Sequence, residues 1–135
     1  MPDPTAVVVD ASVAVPFLDR RDPWPGRWQA WAERGTMLLA PAHFRAEVAN
    51  GLLRGTLLKP PEVPARLTLL VASGVDIADR GWDGVIDALD LATKHGLTVY
   101  DALYLQLALD IEAPLATLDR ALAAAARDEG VEVID

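Results

Sequence analysis

The run Val7-Val8-Val9 is apolar, β-branched and uninterrupted, and it stops at an acid, Asp10. Such a run suits a strand buried on both faces, and a strand of that kind needs helices on each side of its sheet. The rest of the chain offers them in alternation. Residues 5–9 read as the first strand, and Asp10-Ala11-Ser12 opens a short helix that Pro16 bends. Asp22-Pro23 signals a helix over residues 24–34, ended by Gly35. A strand over 37–40 leads through Pro41 into a helix from about residue 42 to 54, closed by Gly55. After Pro60, Pro61 and Pro64, the spacing of Leu67, Leu70 and Val71 predicts an amphipathic helix that stops at Gly74. Residues 75–78 are a candidate strand, and 82–95 form a helix ended by Gly96. Residues 97–100 are too short to assign. Residues 101–112 form a helix apolar nearly all round, expected in the interior. A strand over 114–118, a helix over 119–129 and a strand over 131–134 complete the chain. The alternation predicts an α/β fold with a parallel or mostly parallel sheet.

The 135 residues fit one domain, 1–135, able to bury about two thirds of the surface exposed by the unfolded chain. Hydrophobic residues make up 52% and charged residues 24%, a globular composition. There is no cysteine, and the two histidines, His43 and His95, are too few for the usual zinc ligand sets. Any metal should therefore be one that prefers oxygen. No basic stretch precedes the first apolar run, and no run approaches the roughly 18 residues of a membrane span, so the expected location is the cytoplasm. A net charge of -8 opposes broad affinity for nucleic acid, which depends on lysine and arginine displacing counterions. Any nucleic-acid contact must be local.

In open α/β sheets ligands bind beyond the carboxyl ends of the strands. Asp10 and Asp119 stand where a predicted strand gives way to a helix, and Asp101 also opens a helix. Each alone is explained equally well as a helix cap. Glu47 is the separate test, because it is expected in mid-helix at the margin of the Phe44, Val48 and Leu52 face, on a stripe with His43, Asn50 and Arg54. One reading makes that stripe a solvated flank with a Glu47 to Arg54 contact; the other turns Glu47 toward the aspartates. Carboxylates crowded in a partly dry site force some of their number to protonate unless a divalent cation neutralises them. A set of carboxylates without histidine or cysteine suits magnesium, with manganese as the alternative. His43 itself is expected to be an ordinary polar helix residue.

Four segments then carry a specific resemblance: Val7-Val8-Val9-Asp10-Ala11-Ser12, Ala46-Glu47-Val48-Ala49-Asn50, Tyr100-Asp101-Ala102-Leu103-Tyr104 and Ala116-Thr117-Leu118-Asp119. In order and separation they resemble the four acidic motifs of PIN-domain nucleases, and in form they are similar to the VapC toxins of VapBC toxin–antitoxin pairs. The resemblance implies a three-layer α/β/α fold and Mg2+-dependent endoribonuclease activity on RNA. It also implies frequent homodimerisation and inhibition by a cognate VapB-type antitoxin. By the same resemblance Asp10, Glu47, Asp101 and Asp119 hold the metal, and Ser12 and Thr117 are hydroxyl neighbours. Asn50, on the Glu47 stripe, is a further supporting residue.

Arg54 and Arg120, close in sequence to these acids, are the candidate phosphate contacts. A haloacid-dehalogenase pattern is disfavoured because Ser12 stands where it needs a second aspartate, and a receiver domain because no lysine follows Lys94. The remaining alternative is a catalytically silent PIN-like module that only binds a partner. Trp24, Trp28 and Trp31 share one helix face, expected in the core; the secondary hypothesis makes part of this stripe the antitoxin groove, since tryptophan is favoured at binding hot spots.

Cancelling two to four negative charges at the acids would make the local potential attractive to phosphate while the whole chain stays acidic. Affinity for an uncleavable RNA analogue should therefore rise when Mg2+ is added to chelated protein, with a shallow log-log dependence on salt. A dimer that assembled Arg20, Arg21, Arg45, Arg54 and Lys59 into a basic rim would instead bind tightly and with a steep salt slope in chelator, which would sink the expectation.

Overall fold

The computed structural model describes residues 3–135. Five strands form one sheet in the order β3-β2-β1-β4-β5, and every pairing is parallel. They are β1 (Ala6–Val9), β2 (Met37–Ala40), β3 (Asp76–Ile77), β4 (Leu115–Ala116) and β5 (Val133–Ile134). Val7, Val8 and Val9 are fully buried at the centre of the sheet, as an uninterrupted β-branched run requires. The sheet is wholly rather than mostly parallel, and its outer strands are shorter than the sequence pattern suggests.

The helices are α1 (Ala11–Leu18), α2 (Trp24–Arg34), α3 (Phe44–Gly55), α4 (Val63–Ala72), α5 (Gly81–His95), α6 (Val99–Ile111) and α7 (Arg120–Asp128). A single 3-10 turn, Pro60–Glu62, precedes α4. The chain steps outward from β1 to β2 to β3, then returns past β1 to lay down β4 and β5. Because parallel crossovers are right-handed, the two directions of travel put their helices on opposite faces of the sheet. Accordingly α1 packs with α2, α3 and α4, while α6 packs with α5, α7 and β1. The reversal makes the carboxyl ends of β1 and β4 neighbours, joined where the Asp10 amide donates to the Ala116 carbonyl at 3.2 Å. That junction is the topological switch point, where α/β sheets open a crevice.

Several expectations are corrected by packing. Helix α3 begins at Phe44 rather than residue 42, so Glu47 lies in its first turn and not in mid-helix. Gly55 belongs to α3, and Thr56 ends it by donating its hydroxyl to the Leu52 carbonyl at 2.6 Å. Helix α6 begins two residues before Asp101, capped by Thr98, whose hydroxyl accepts from the Asp101 amide. Val71 is exposed although Leu70 beside it is buried. Nor is α6 buried all round: Ala102, Tyr104, Leu105 and Ala108 face the core, whereas Tyr100 and Ile111 are exposed.

Trp24, Trp28 and Trp31 are all buried, and Trp28 stacks on Phe17 with ring centroids 4.3 Å apart. Their stripe joins α2 to α1 inside the core, so it is not an open groove for a partner.

Close approach of α1 and α3 depends on Gly51, where an added Cβ would lie 2.7 Å from Val15 Cγ2. Gly51→Ala should destabilise the protein by about 1 kcal/mol net, overpacking outweighing the better helix propensity. Gly26→Ala, in α2 with nothing within 4 Å of its Cβ, should stabilise by about 0.5–1 kcal/mol. Urea unfolding of both variants tests the pair, and shifts of the same sign would contradict the packing argument.

Candidate metal centre

Asp10 follows the last residue of β1 and caps α1, its side chain accepting from the Ser12 amide at 3.0 Å. The same oxygen, Oδ1, accepts from the Ser12 hydroxyl, and Oδ2 accepts from the Thr117 hydroxyl at 2.6 Å. Asp10 is 5% exposed and Thr117 fully buried. Thr117 Oγ1 in turn accepts from the Asp119 amide at 3.0 Å, and Ser12 Oγ accepts from the Leu118 amide at 2.7 Å. Two hydroxyls thus tie the end of β1 to the β4–α7 connection. Asp119 caps α7, with Oδ1 accepting from the Leu122 amide at 2.8 Å.

Glu47 and Asp101 are held differently. Tyr104 donates its hydroxyl to Glu47 Oε1 at 2.7 Å. His43 Nε2 lies 3.1 Å from the same oxygen, off the ideal hydrogen-bond direction. The Glu47 to Arg54 contact weighed from the sequence does not form; Asn50 and Arg54 are exposed on α3, and Arg120 is exposed beside Asp119. Asp101, half-buried in the first turn of α6, does not cap that helix, because Thr98 does so.

Two of the acids, Asp10 and Asp101, feel the charge of others in the set. Burial and, to a smaller degree, the Asp101 charge push Asp10 up from 3.8 to about 6, against the opposing pull of the Ser12 and Thr117 hydrogen bonds. Asp101 is also raised, by burial first and then by the charges of Asp119 and Glu47. Glu47 is lowered, chiefly by His43 and also by the Tyr104 hydroxyl, which together outweigh its burial. Among the described residues, however, the acids do not bring three ligand oxygens within 4.8 Å of one another; the group that meets this distance is His95 with Asp128 and Glu129. That second group lies at the carboxyl ends of α5 and α7, a helix length of about 14 Å from Asp119. It is already balanced by ion pairs, Glu129 Oε2 accepting from Lys94 at 2.7 Å and lying 2.8 Å from His95 Nε2.

The sequence pattern marks His43 only as an ordinary polar helix residue on the Glu47 stripe and gives Tyr104 no separate role. The signal for Tyr104 was its position three residues after Asp101, on the same side of a helix. For His43 it was the spacing of four before Glu47. An oxygen-only donor set, with one carboxylate buried and two raised by burial and neighbouring charge, has the chemistry of a site for a hard divalent cation.

Without metal, Asp10 binds a proton more readily folded than unfolded, so between about pH 4 and pH 6 the folded state holds more protons. The stability contributed by this group falls as pH rises through that window. Asp101 acts in the same direction, and Glu47 acts oppositely at lower pH. In chelator, Asp10→Asn should flatten the decline and raise stability at pH 7 by about 1–3 kcal/mol. The amide keeps an acceptor for Ser12 and gives Thr117 Oγ1 a donor. Urea unfolding across pH checks this, and an unchanged slope in the variant would remove Asp10 as its cause.

A model of the PIN domain family matches residues 7–128 of the chain. Over 37 residues the chain is 62% identical to Ribonuclease VapC3 of Pyrobaculum aerophilum, a stretch covering 27% of this chain and 28% of that relative. The match therefore spans little more than a quarter of the relative's length. In fold the chain is similar to the crystal structure of PAE2754 from Pyrobaculum aerophilum, with a TM-score of 0.71 and 23% identity over 96% of this chain and 89% of that one. It is also similar to a chain of a toxin–antitoxin complex from Klebsiella pneumoniae, with a TM-score of 0.71 and 16% identity over 96% of both chains. With the family match spanning nearly the whole chain and the acid-bearing parallel sheet it implies in place, the chain belongs to the PIN domain family.

Proposed function

We propose that this chain is a Mg2+-dependent endoribonuclease, the toxin of a type II toxin–antitoxin pair, working as a single nuclease domain whose metal ligands are Asp10, Glu47, Asp101 and Asp119. The observation that supports the reading is the electrostatic coupling of Asp101 to Asp119, Glu47 and Asp10, acids drawn from four separate segments of the chain. The PIN family match, the VapC3 ribonuclease and the toxin–antitoxin complex of similar fold support it.

A divalent cation bound there supplies a water acidified to near neutral pH and positive charge for the phosphate undergoing attack. The residues of the chain do the rest. Ser12 and Thr117 fix the Asp10 carboxylate by hydrogen bonds to both of its oxygens. The helix caps hold Asp119 in register with Asp10 through Thr117. Asn50, Arg54 and Arg120 are the exposed polar groups nearest in sequence to the acids, available to phosphate oxygens. No side-chain nucleophile is required, and neither histidine has the hydroxyl partner that a nucleophilic dyad needs. In this reading the partners are RNA, a cognate VapB-type antitoxin and a second copy of the chain. No helix among the described residues is long and apolar enough to cross a membrane.

Asp101→Asn should reduce cleavage of a labelled structured RNA by at least about a hundredfold in Mg2+, more than the usual loss of an outer-shell partner, with the fold unchanged by circular dichroism. Chelator should silence the wild type. Wild-type cleavage by the variant would refute the ligand assignment, and a wild type that binds RNA yet leaves it intact in Mg2+ and Mn2+ would favour the silent binding module.

A further inference from the structure

We propose that the groove beyond the carboxyl ends of β2 and β3 is a nucleobase subsite, in which one unstacked base of a single-stranded RNA lies against the Tyr100 ring and presents its edge to Gln106. The inference takes the identity of its ligand, RNA, from the proposed function. The groove has a volume of about 650 Å³, within the range of ligand pockets, and Ala42 and Ala78 line it just past the two strands. In the sheet order, the ends of β2 and β3 lie one and two strand spacings from the end of β1, about 5 and 10 Å from where Asp10 stands. His43 joins the two regions: its ring lines the groove, and its Nε2 lies 3.1 Å from Glu47 Oε1. Tyr100 also lines the groove and immediately precedes Asp101, so a base held on its ring has its backbone beside the acids.

The lining suits a base rather than a phosphate. Tyr100, Leu103 and Leu107 recur at spacings of three and four, so one face of α6 forms an apolar wall, to which Val85 adds from α5. The arginine of the groove, Arg80, is engaged by Asp87 at 2.8 Å and by Asp110 at 3.0 Å, which neutralises it toward an anion. Tyr100 is 64% exposed, a large ring that its neighbours leave uncovered. Bases of single-stranded RNA stack on such rings and are read by hydrogen bonds to their edges. Gln106 supplies a group for that reading: its Nε2 donates to Asp110 Oδ1 at 2.9 Å, while Arg80 holds the other oxygen of the same carboxylate. The amide is thereby oriented, with Oε1 left to accept from a base N–H.

The test uses the full chain in Mg2+ and follows fluorescence anisotropy of two labelled octamers with the same uncleavable RNA-like backbone, one carrying mixed bases and one abasic. The wild type should bind the base-bearing octamer about tenfold more tightly. Tyr100→Ala should lose about 5- to 100-fold on that octamer, the scale of one lost stacking contact, and change little on the abasic one, while Tyr100→Trp should keep the preference. Gln106→Leu should retain most of the affinity but narrow the differences among octamers of a single base. A wild type that binds both octamers alike overturns the proposal, as does a folded Tyr100→Ala that binds the base-bearing octamer like the wild type or weakens on both equally. Should that variant fail to fold, wild-type binding by Ala78→Phe, which projects a ring into the groove, overturns it equally. Base-dependent binding by a wild type that leaves RNA intact in Mg2+ and Mn2+ would support the subsite while refuting the nuclease reading, whereas cleavage without base-dependent binding would refute the subsite alone.

Discussion

Burying the Asp10 carboxylate where β1 meets β4 costs hydration, and the chain offsets that cost with donors drawn from both sides of the junction. Ser12 gives its amide and hydroxyl from the first turn of α1, and Thr117 gives its hydroxyl from the end of β4. The same two hydroxyls accept the Leu118 and Asp119 amides, so satisfying one acid also fixes the backbone that presents the next. Compensation is incomplete, since burial still raises Asp10 well above an ordinary carboxylate. Holding an incompletely satisfied charge in a rigid frame gives up stability, and in the proposed metal site that cost would be exchanged for a preorganised ligand.

The topology explains why this arrangement stands where it does. With β1 central and flanked by β2 and β4, the chain reverses its direction of travel at the strand that ends in Asp10. Helices leave both neighbouring strand ends there, and their first turns bring Asp10 and Asp119 together without any loop having to reach. Asp101 and Glu47 arrive on helices from elsewhere in the chain, α6 and α3, each in the first turn of its helix. Asp119 and Glu47 raise Asp101, and Asp101 in turn raises Asp10.

Much of this was legible in the sequence because it depends on local pattern. A β-branched run followed by an acid gives a buried strand and a capped helix, so β1, Asp10 and Asp119 could be placed from neighbours alone. The alternation of strand and helix patterns gave the parallel sheet. What escaped was set by contacts distant along the chain. The Tyr104 to Glu47 bond joins residues 57 apart, and no periodicity within α3 or α6 announces it. His43 reads as an ordinary polar residue of a helix starting near residue 42, yet with α3 starting at Phe44 it stands at the N-cap position without a capping bond and packs between two tyrosines. The exposed side of α6 was hidden for a related reason: an all-apolar composition predicts burial, but α5 covers it only in part and leaves Tyr100 64% exposed.

The basic residues are distributed unevenly with respect to the acids. Arg21, Arg34, Arg80, Lys94 and Arg127 are engaged by carboxylates, and Arg66 donates to the Leu18 carbonyl. Among the described residues, Arg20, Arg45, Arg54, Lys59 and Arg120 form no ion pair. Two of these lie on α3 with Glu47, Lys59 follows that helix, and Arg120 adjoins Asp119. The net charge of -8 therefore misrepresents the surface near the acids, because much of the basic charge elsewhere is neutralised within the fold while the unpaired cations flank the two elements that carry Glu47 and Asp119. Phosphate recognition built on so few exposed cations is short-ranged under physiological screening, over about 8 Å. Under the proposed function, such a surface would engage a backbone that has already entered the crevice, and long-range attraction would fall to a cation held by the acids.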